Sequence, residues 1–264
     1  MIGPEDDRPK DAATDSVTVQ LTDVDREAGA LLHLTRAGGN GHGSALALLG
    51  LGGELVTVAD PASISMETGE PLVRWACRVR GDSLALDAEL EAVSVPVGFD
   101  DELAEAAGFD RYEQICRVRG EIEVGGRRAQ IDGVGRRAHA WGEPAVSRFR
   151  SVYAVAAEHA VTLCAVRPRG AAEHGAELVS AHMLRPDTPP ERFESARLST
   201  VYDAAGRPRT AGLELYLPGE EYPRRVSGEA IWPAAGDPDA IEAACFRWTL
   251  DGEPAQGGYQ LVAR

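Results

Sequence analysis

Residues 84–95 read LALDAELEAVSV, and apolar side chains alternate with acidic ones along this stretch. Side chains of one parity are Leu84, Leu86, Ala88, Leu90 and Ala92, and those of the other parity include Asp87, Glu89 and Glu91. Successive side chains of a strand point to opposite faces of its sheet. The stretch therefore predicts an antiparallel strand that is buried on one face and solvated on the other.

The same rhythm of short apolar runs and turns extends in both directions from this strand. About eight such segments precede Pro144 and about eight follow it. Residues 100–109, DDELAEAAGF, are the one clear helical segment, which we expect Asp100 or Asp101 to cap and Gly108 to end. Many strands with almost no helix predict an all-β sandwich or barrel. Eight antiparallel strands can close into a barrel that is just wide enough for one small ligand.

The 264 residues predict two β-barrel domains after a short lead-in. Residues 1–16, MIGPEDDRPKDAATDS, are charged and contain proline, so we expect them to be disordered. The first barrel is predicted to span residues 17–144 and the second residues 145–264. The lead-in has no apolar run of a secretory signal, and no stretch is long and apolar enough to cross a bilayer. We therefore expect a cytoplasmic monomer or homodimer.

The charge balance excludes several kinds of partner. The chain has 27 basic and 42 acidic residues, a net charge of −15, which repels phosphate backbones and anionic membrane surfaces. Lys10 is the only lysine and lies in the lead-in, so we expect no lysine chemistry in the folded body. The four cysteines are widely spaced without a zinc pattern, and we interpret them as buried side chains in a reducing compartment.

The densest group of polar and aromatic side chains is residues 131–143, IDGVGRRAHAWGE. If the segment is a strand, one face carries Arg137, His139, Trp141 and Glu143. Its glycines are typical of a bulge, a bend or the close approach of a ligand. Two interpretations stay open from residue types alone: the wall of a binding cavity, or a buried tryptophan with a histidine bonded to backbone.

Residues 133–142, GVGRRAHAWG, resemble the G-x-G-x-R-D-H-x-W-G signature of the carotenoid 1,2-hydratase (hydroxyneurosporene synthase)-like superfamily. Residues 111–114, RYEQ, with 118–126, VRGEIEVGG, resemble the strand pair before that signature. Residues 28–34, AGALLHL, with 39–41, GNG, resemble the first strands of the family. The resemblance implies an all-β fold of two tandem antiparallel lipocalin-like barrels. It also implies a cofactor-independent enzyme that binds an apolar olefinic small molecule. His159, His174 and His182 have no partner at metal-ligand spacing, so we expect no metal site.

Relatives in this superfamily hydrate an isoprenoid double bond, and others with paired barrels promote cyclisation. The chain departs from the signature at Ala138, where the family has aspartate before the histidine. If that aspartate is the proton donor of the hydratases, hydration by the family mechanism is disfavoured here. We therefore expect a cyclase of terpenoid or polyketide metabolism, with a hydratase or a non-catalytic carrier of a hydrophobic metabolite as alternatives.

The chemistry requires an acid, stabilisation of positive charge and a folded substrate. We expect His139 to be the general acid or base, with Trp141 as cavity wall and Arg137 as electrostatic anchor. The expected carboxylic acids are Asp132 and Glu113, and we expect Glu113 and Tyr112 to lie across the same lumen. For each carboxylate, the alternative role is a salt bridge to an arginine. For Arg136 and Arg137, the alternative to binding substrate is pairing with acidic side chains. Further candidates for the substrate site are Trp75, Glu143 and Trp232, and Glu229 is another possible acid.

Overall fold

The computed structural model describes residues 2–37, 43–171, 177–186, 188–232, 235–237 and 241–263. The chain divides into two compact units: residues 1–98 with 109–143, and residues 99–108 with 144–264. Segment 99–108 thus belongs to the second unit, not to the first as the predicted boundary implies. The GNG residues 39–41 of the family resemblance lie outside the described residues.

The first unit is a curled antiparallel sheet. Its strands are β1 Thr14–Asp23, β2 Ala28–Ala37, β3 Ser44–Leu51, β4 Glu54–Val58, β5 Ile64–Glu70, β6 Arg74–Gly81, β7 Leu84–Ala92, β8 Val97–Gly98, β9 Phe109–Val124 and β10 Arg127–Gly142. The strand order is β4-β3-β2-β1-β10-β9-β7-β6-β5, and β8 pairs with β9. Strands β4 and β5 are therefore the two edges of a half-barrel. Short 3-10 helices cover Pro4–Asp7 and Pro61–Ser63.

The second unit repeats this topology. Its strands are β11 Val146–Val155, β12 Ala160–Pro168, β13 Leu178–Leu184, β14 Glu191–Arg192, β15 Ser195–Tyr202, β16 Pro208–Tyr216, β17 Arg224–Ala230, β18 Ala235–Asp237, β19 Ile241–Leu250 and β20 Glu253–Ala263. The order β14-β13-β12-β11-β20-β19-β17-β16-β15 matches the first sheet strand for strand. The expected all-β fold of two tandem antiparallel lipocalin-like barrels is confirmed, and each unit is a half-barrel of ten strands where about eight were expected.

The alternation quoted at residues 84–95 sets the core face of β7. Leu86 and Leu90 are buried in the interior of the first unit, whereas Asp87 on the other parity is exposed. Interior side chains of neighbouring strands include Val19, Leu32, Leu49, Val79, Val118 and Ile122. Burial of such aliphatic side chains is the main stabilising contribution to a sheet packed on one face.

Local turn and capping signals are also found where the sequence predicts them. The helix α1, Asp101–Ala107, is capped by the Asp100 carboxylate, which accepts from the Leu103 N–H, and Gly108 ends it in the left-handed conformation at φ 74°. Strands β9 and β10 form one hairpin whose turn residues Gly125 and Gly126 have φ of 59° and 80°. Two consecutive positive φ values favour glycine over any other residue.

The lead-in differs from its expectation. Residues 2–16 are described, and the 3-10 helix Pro4–Asp7 places the Asp7 side chain in the interior of the first unit. Lys10 pairs with Asp6 and lies over the ring of Trp141, so the single lysine is part of the folded unit. The composition of this segment indicated disorder because it contains few apolar residues, but polar contacts order it instead.

All four cysteines lie among the described residues, where they are buried and unpaired by disulfides. Across the described ranges, no helix has the length and apolar character needed to cross a membrane.

Candidate functional site

The signature segment forms the C-terminal half of β10, between β1 and β9. In register, His139 lies opposite Val17 on β1 and Tyr112 on β9. As the alternation predicts, Arg137, His139 and Trp141 project from one face of β10, the face that lines the interior of the first unit. Side chains from the three strands therefore meet at one end of this half-barrel.

His139 is 1% exposed, and both of its ring nitrogens face an acceptor. Nδ1 is 2.8 Å from the carbonyl oxygen of Asp6, and Nε2 is 2.5 Å from Oδ1 of Asp15. A carbonyl oxygen only accepts, so Nδ1 carries a proton. Nε2 then faces the Asp15 carboxylate, so the ring connects the backbone of the lead-in with a side chain of β1.

A second group of donors surrounds the carboxylate of Asp7. Its Oδ1 accepts from the Tyr112 hydroxyl at 2.8 Å and pairs with the Arg137 guanidinium. Its Oδ2 accepts from Nε1 of Trp75 at 2.9 Å and from the backbone N–H of Leu72 at 3.1 Å. Both oxygens of this buried carboxylate are thus satisfied by four donors.

Tyr112 is held as a proton donor within this group. Burial raises the pKa of its hydroxyl above the usual value; the Arg137 charge opposes this shift, and the Asp7 carboxylate adds to it. Arg137 donates to the phenolic oxygen at 2.8 Å. Tyr112 therefore stays protonated, and its hydroxyl donates a hydrogen bond to the carboxylate oxygen of Asp7.

Aromatic rings enclose the two groups. Cζ of Arg137 lies 4.7 Å from the Trp75 ring centroid, and the His139 ring lies 5.1 Å from that of Trp141. The Trp141 ring also contacts Lys10, whose Nζ lies 4.9 Å from the ring centroid. Aromatic faces attract positive charge, so the walls of this site favour a cation at their surface.

Part of this group lines a cavity of about 80 Å³, whereas Tyr112 and Trp141 lie behind its wall. Its polar lining includes Asp7, Asp15, Arg137 and His139, and its apolar lining includes Val17, Val19, Leu34, Met66 and Trp75. Pockets for drug-sized ligands are typically about 300–1,000 Å³. The cavity as it stands is therefore too small for a long polyene while Asp7 and Pro9 occupy its wall.

Three expected site residues lie elsewhere. Neighbouring residues of a strand face opposite ways, so Glu113 points away from Tyr112 and pairs with Arg111 at 2.9 Å. The expectation that Glu113 shares a lumen with Tyr112 is wrong. Asp132 is 52% exposed on the outer face and pairs with Arg117 at 3.1 Å, in place of the apolar surroundings expected for it.

Glu143 also differs from its expected position, because β10 ends at Gly142 and Glu143 is exposed beyond it. Trp232 is buried in the second unit, and Glu229 is exposed there and pairs with Arg247 at 3.4 Å. A substrate contact for Trp232 stays a prediction.

Ala138 lies on the face of β10 opposite to His139, where its register partners are Thr18 and Glu113. A side chain at this position does not point at the imidazole. The carboxylate beside His139 comes instead from Asp15 on the neighbouring strand.

The signature glycines serve strand packing. A Cβ at Gly133 would lie 2.3 Å from the carbonyl oxygen of Thr22, and one at Gly135 would lie 2.7 Å from Cγ2 of Val118. These two glycines therefore allow β1, β9 and β10 to approach closely. Close strand packing explains them, in place of the bulge, bend or ligand contact that the sequence suggested.

Sequence reasoning missed two residues of the site. Asp15 shares its parity with the apolar Val17, Val19 and Leu21, which was the available signal that its carboxylate faces the interior. Asp7 had no such signal, because it precedes the first strand.

A family model described as a domain of unknown function (DUF7064) matches residues 4–261. No curated protein matches the chain in sequence.

Three solved structures are similar in fold. An AttH-like protein from Nitrosomonas europaea has 14% identity and a TM-score of 0.69, with 96% of this chain and 93% of that chain covered. Kievitone hydratase from Nectria haematococca has 12% identity and a TM-score of 0.68, with 100% and 93% covered. CghA with Sch210972 has 12% identity and a TM-score of 0.63, with 96% and 88% covered. These likenesses confirm the expected fold of two tandem lipocalin-like barrels.

Proposed function

The chain belongs to the family described as a domain of unknown function (DUF7064), and we propose that it is a cofactor-independent cyclase. Its substrate in this proposal is an apolar olefinic molecule of terpenoid or polyketide type, bound in the first half-barrel. The observation that carries the proposal is the close contact between Nε2 of His139 and Oδ1 of Asp15 at the wall of a cavity.

The His139–Asp15 pair supplies the acid that ring closure requires. The proton moves from the pair to an alkene carbon or to a carbonyl oxygen of the substrate, and the resulting electron-poor centre is attacked by a second double bond. Loss of a proton from the cyclised product returns a proton to the pair, so the reaction is an isomerisation. A positioned acid of this kind contributes about 10²–10⁴-fold to a rate.

The remaining side chains have separate roles. Trp75 lines the cavity, and its ring stabilises positive charge close to it. Trp141 packs against His139 and orients the imidazole. Tyr112 and Arg137 are donors for a substrate oxygen. Asp15 acts through His139 and is also a candidate proton donor, because its Oδ1 lines the same cavity.

Hydration is the alternative function, and the cavity space beside the His139–Asp15 pair favours it. After proton transfer to an alkene, the pair contains a base next to a cavity with room for water, and addition of water to the cation gives an alcohol. The carrier hypothesis is less well supported, because a cavity that only stores an apolar metabolite needs no buried histidine and two carboxylates in its wall.

Mass spectrometry after incubation with candidate isoprenoid and polyketide intermediates tests the proposal. A product of unchanged mass and new retention time is expected, and a product heavier by one water assigns the hydratase alternative. The proposal fails if bound substrate is recovered unchanged from a folded protein, since that result assigns a carrier.

A further inference from the structure

The Asp7 carboxylate is held by donors that are far from it in the chain. The N–H of Leu72, Nε1 of Trp75 and the hydroxyl of Tyr112 lie 65, 68 and 105 positions away. All belong to the sheet or its hairpin turns, whereas Asp7 belongs to the segment that precedes β1. The donors thus form a preset group, and Asp7 is a side chain inserted into it from outside the sheet.

The backbone at Leu72 is a second observation that indicates a binding site. Leu72 has φ of 61°, in the left-handed region that leucine rarely adopts, in the turn between β5 and β6. In this conformation its N–H points at Oδ2 of Asp7 at 3.1 Å. Strained backbone of this kind concentrates at ligand sites, where surrounding structure holds it in place.

We propose that this donor group is a binding site for the carboxylate of a small-molecule ligand, with Asp7 as its internal occupant. The four donors satisfy both oxygens of a carboxylate, and Arg137 compensates its charge. Residues 2–13 then act as a strap, which the ligand displaces when its own carboxylate replaces that of Asp7.

The apolar part of the ligand follows from the lining of the cavity. Val17, Val19, Leu34 and Met66 lie beside the donor group. Departure of Asp7 and Pro9 from the wall enlarges this cavity towards the size of a ligand pocket. The ligand class is therefore a carboxylic acid with an apolar body, oriented with its tail along β1, β2 and β5.

This inference rests on the proposed function only in placing substrate in the same cavity. It adds that the substrate carries a carboxylate and that Arg137, Tyr112 and Trp75 fix that end. The reacting double bond then lies towards His139, whose ring is 5.7 Å from that of Tyr112.

Chemical rescue of an Asp7→Gly variant tests the carboxylate site. We expect sodium acetate to raise the melting temperature of this variant saturably, and sodium butyrate to do so at lower concentration because its tail contacts the apolar lining. Sodium chloride at equal ionic strength controls for screening, and wild-type protein, in which Asp7 competes for the site, should show a smaller shift at the same acetate concentration. The double variant Asp7→Gly with Arg137→Gln should lose the response.

Equal shifts in wild type, variant and chloride control, or no shift in the variant, would overturn the inference. Asp7→Ser replaces Asp7→Gly with the same expectations if the glycine variant does not fold. Rescue in a protein that turns over no substrate would keep the carboxylate site and reject the cyclase. Turnover of substrate without rescue by carboxylates would keep the cyclase and reject the carboxylate site.

Discussion

Oδ1 of Asp15 lies 2.5 Å from Nε2 of His139, although 124 positions separate the two residues in the chain. The antiparallel pairing of β1 with β10 produces this contact, because Asp15 pairs with Trp141 in register and lies diagonal to His139. Nδ1 of the same ring faces the carbonyl oxygen of Asp6. The proposed chemistry requires that the His139–Asp15 pair donate a proton to the substrate.

Replacing Asp15 with asparagine should remove the carboxylate of the pair and keep the shape of the site. An amide does not hold an exchangeable acidic proton against Nε2, so we expect kcat/KM to fall at least about 100-fold. The rate of formation of the same-mass product, measured by chromatography and mass spectrometry, checks this expectation.

Asp87→Asn is the matched control, because Asp87 is an exposed strand aspartate that pairs with Arg80 at 2.7 Å. It should turn over substrate as wild type does. If Asp132→Asn lowered kcat/KM and Asp15→Asn left it unchanged, the acid would lie on the outer face of β10, and the account would be wrong.

Tyr112→Phe should destabilise the first unit. The variant leaves the buried Asp7 carboxylate and the Arg137 guanidinium each without one hydrogen-bond partner. A buried polar group that loses its partner costs about 1–3 kcal/mol. Urea unfolding should show this loss, whereas Tyr222→Phe, at a side chain that is 76% exposed, should leave the free energy of unfolding unchanged.

Gly228→Ala should destabilise the second unit. A Cβ at Gly228 would lie 2.2 Å from Cε3 of Trp248, a rigid buried ring, so the substitution should cost about 1–3 kcal/mol by overpacking. In the control Gly212→Ala, on the neighbouring strand, the added Cβ would lie 3.2 Å from the Ser199 hydroxyl and 3.9 Å from the carbonyl oxygen of Val226. Equal melting temperatures for the two variants would contradict the described packing of Trp248.

The buried thiols of Cys77 and Cys116 should make stability depend on alkaline pH. The pKa of each thiol is raised from 9.0 to about 12, mainly by burial. The Arg137 charge opposes this shift, but its effect is smaller than that of burial. The folded state therefore favours the protonated thiols. Their contribution is present below pH about 9 and is lost as the pH rises from about 9 to about 12.

Iodoacetamide labelling provides the readout for these thiols. At pH 8 we expect no labelling of Cys77 or Cys116 in the native protein and full labelling in urea, since the thiolate is the nucleophile. Rapid labelling of either residue without urea would show that it is not buried as described.

The sequence was informative where a feature depends on neighbouring residues. Alternation in β7, the Asp100 and Gly108 caps of α1 and the Gly125–Gly126 turn each reflect interactions within a few positions, and all are present. The shared face of Arg137, His139 and Trp141 follows from the same period of two.

Features that depend on the pairing of distant strands were not accessible in this way. The contact of Asp15 with His139 requires knowledge of the β1–β10 register. The insertion of Asp7 requires knowledge of four donors on three strands and one turn. Composition also misled at the lead-in, because polar contacts of single side chains order it without an apolar core. Glu113 was assigned to the lumen of Tyr112 despite lying at the adjacent position, which the strand period itself excludes.

The ratio of kcat/KM between His139→Ala and wild type tests the central claim most directly, once mass spectrometry has identified a substrate. The account predicts a folded variant whose ratio is at least about 100-fold below wild type, because the proton donor of the pair is lost. A folded His139→Ala variant that retains the wild-type rate would contradict the claim that this pair is the acid of the reaction.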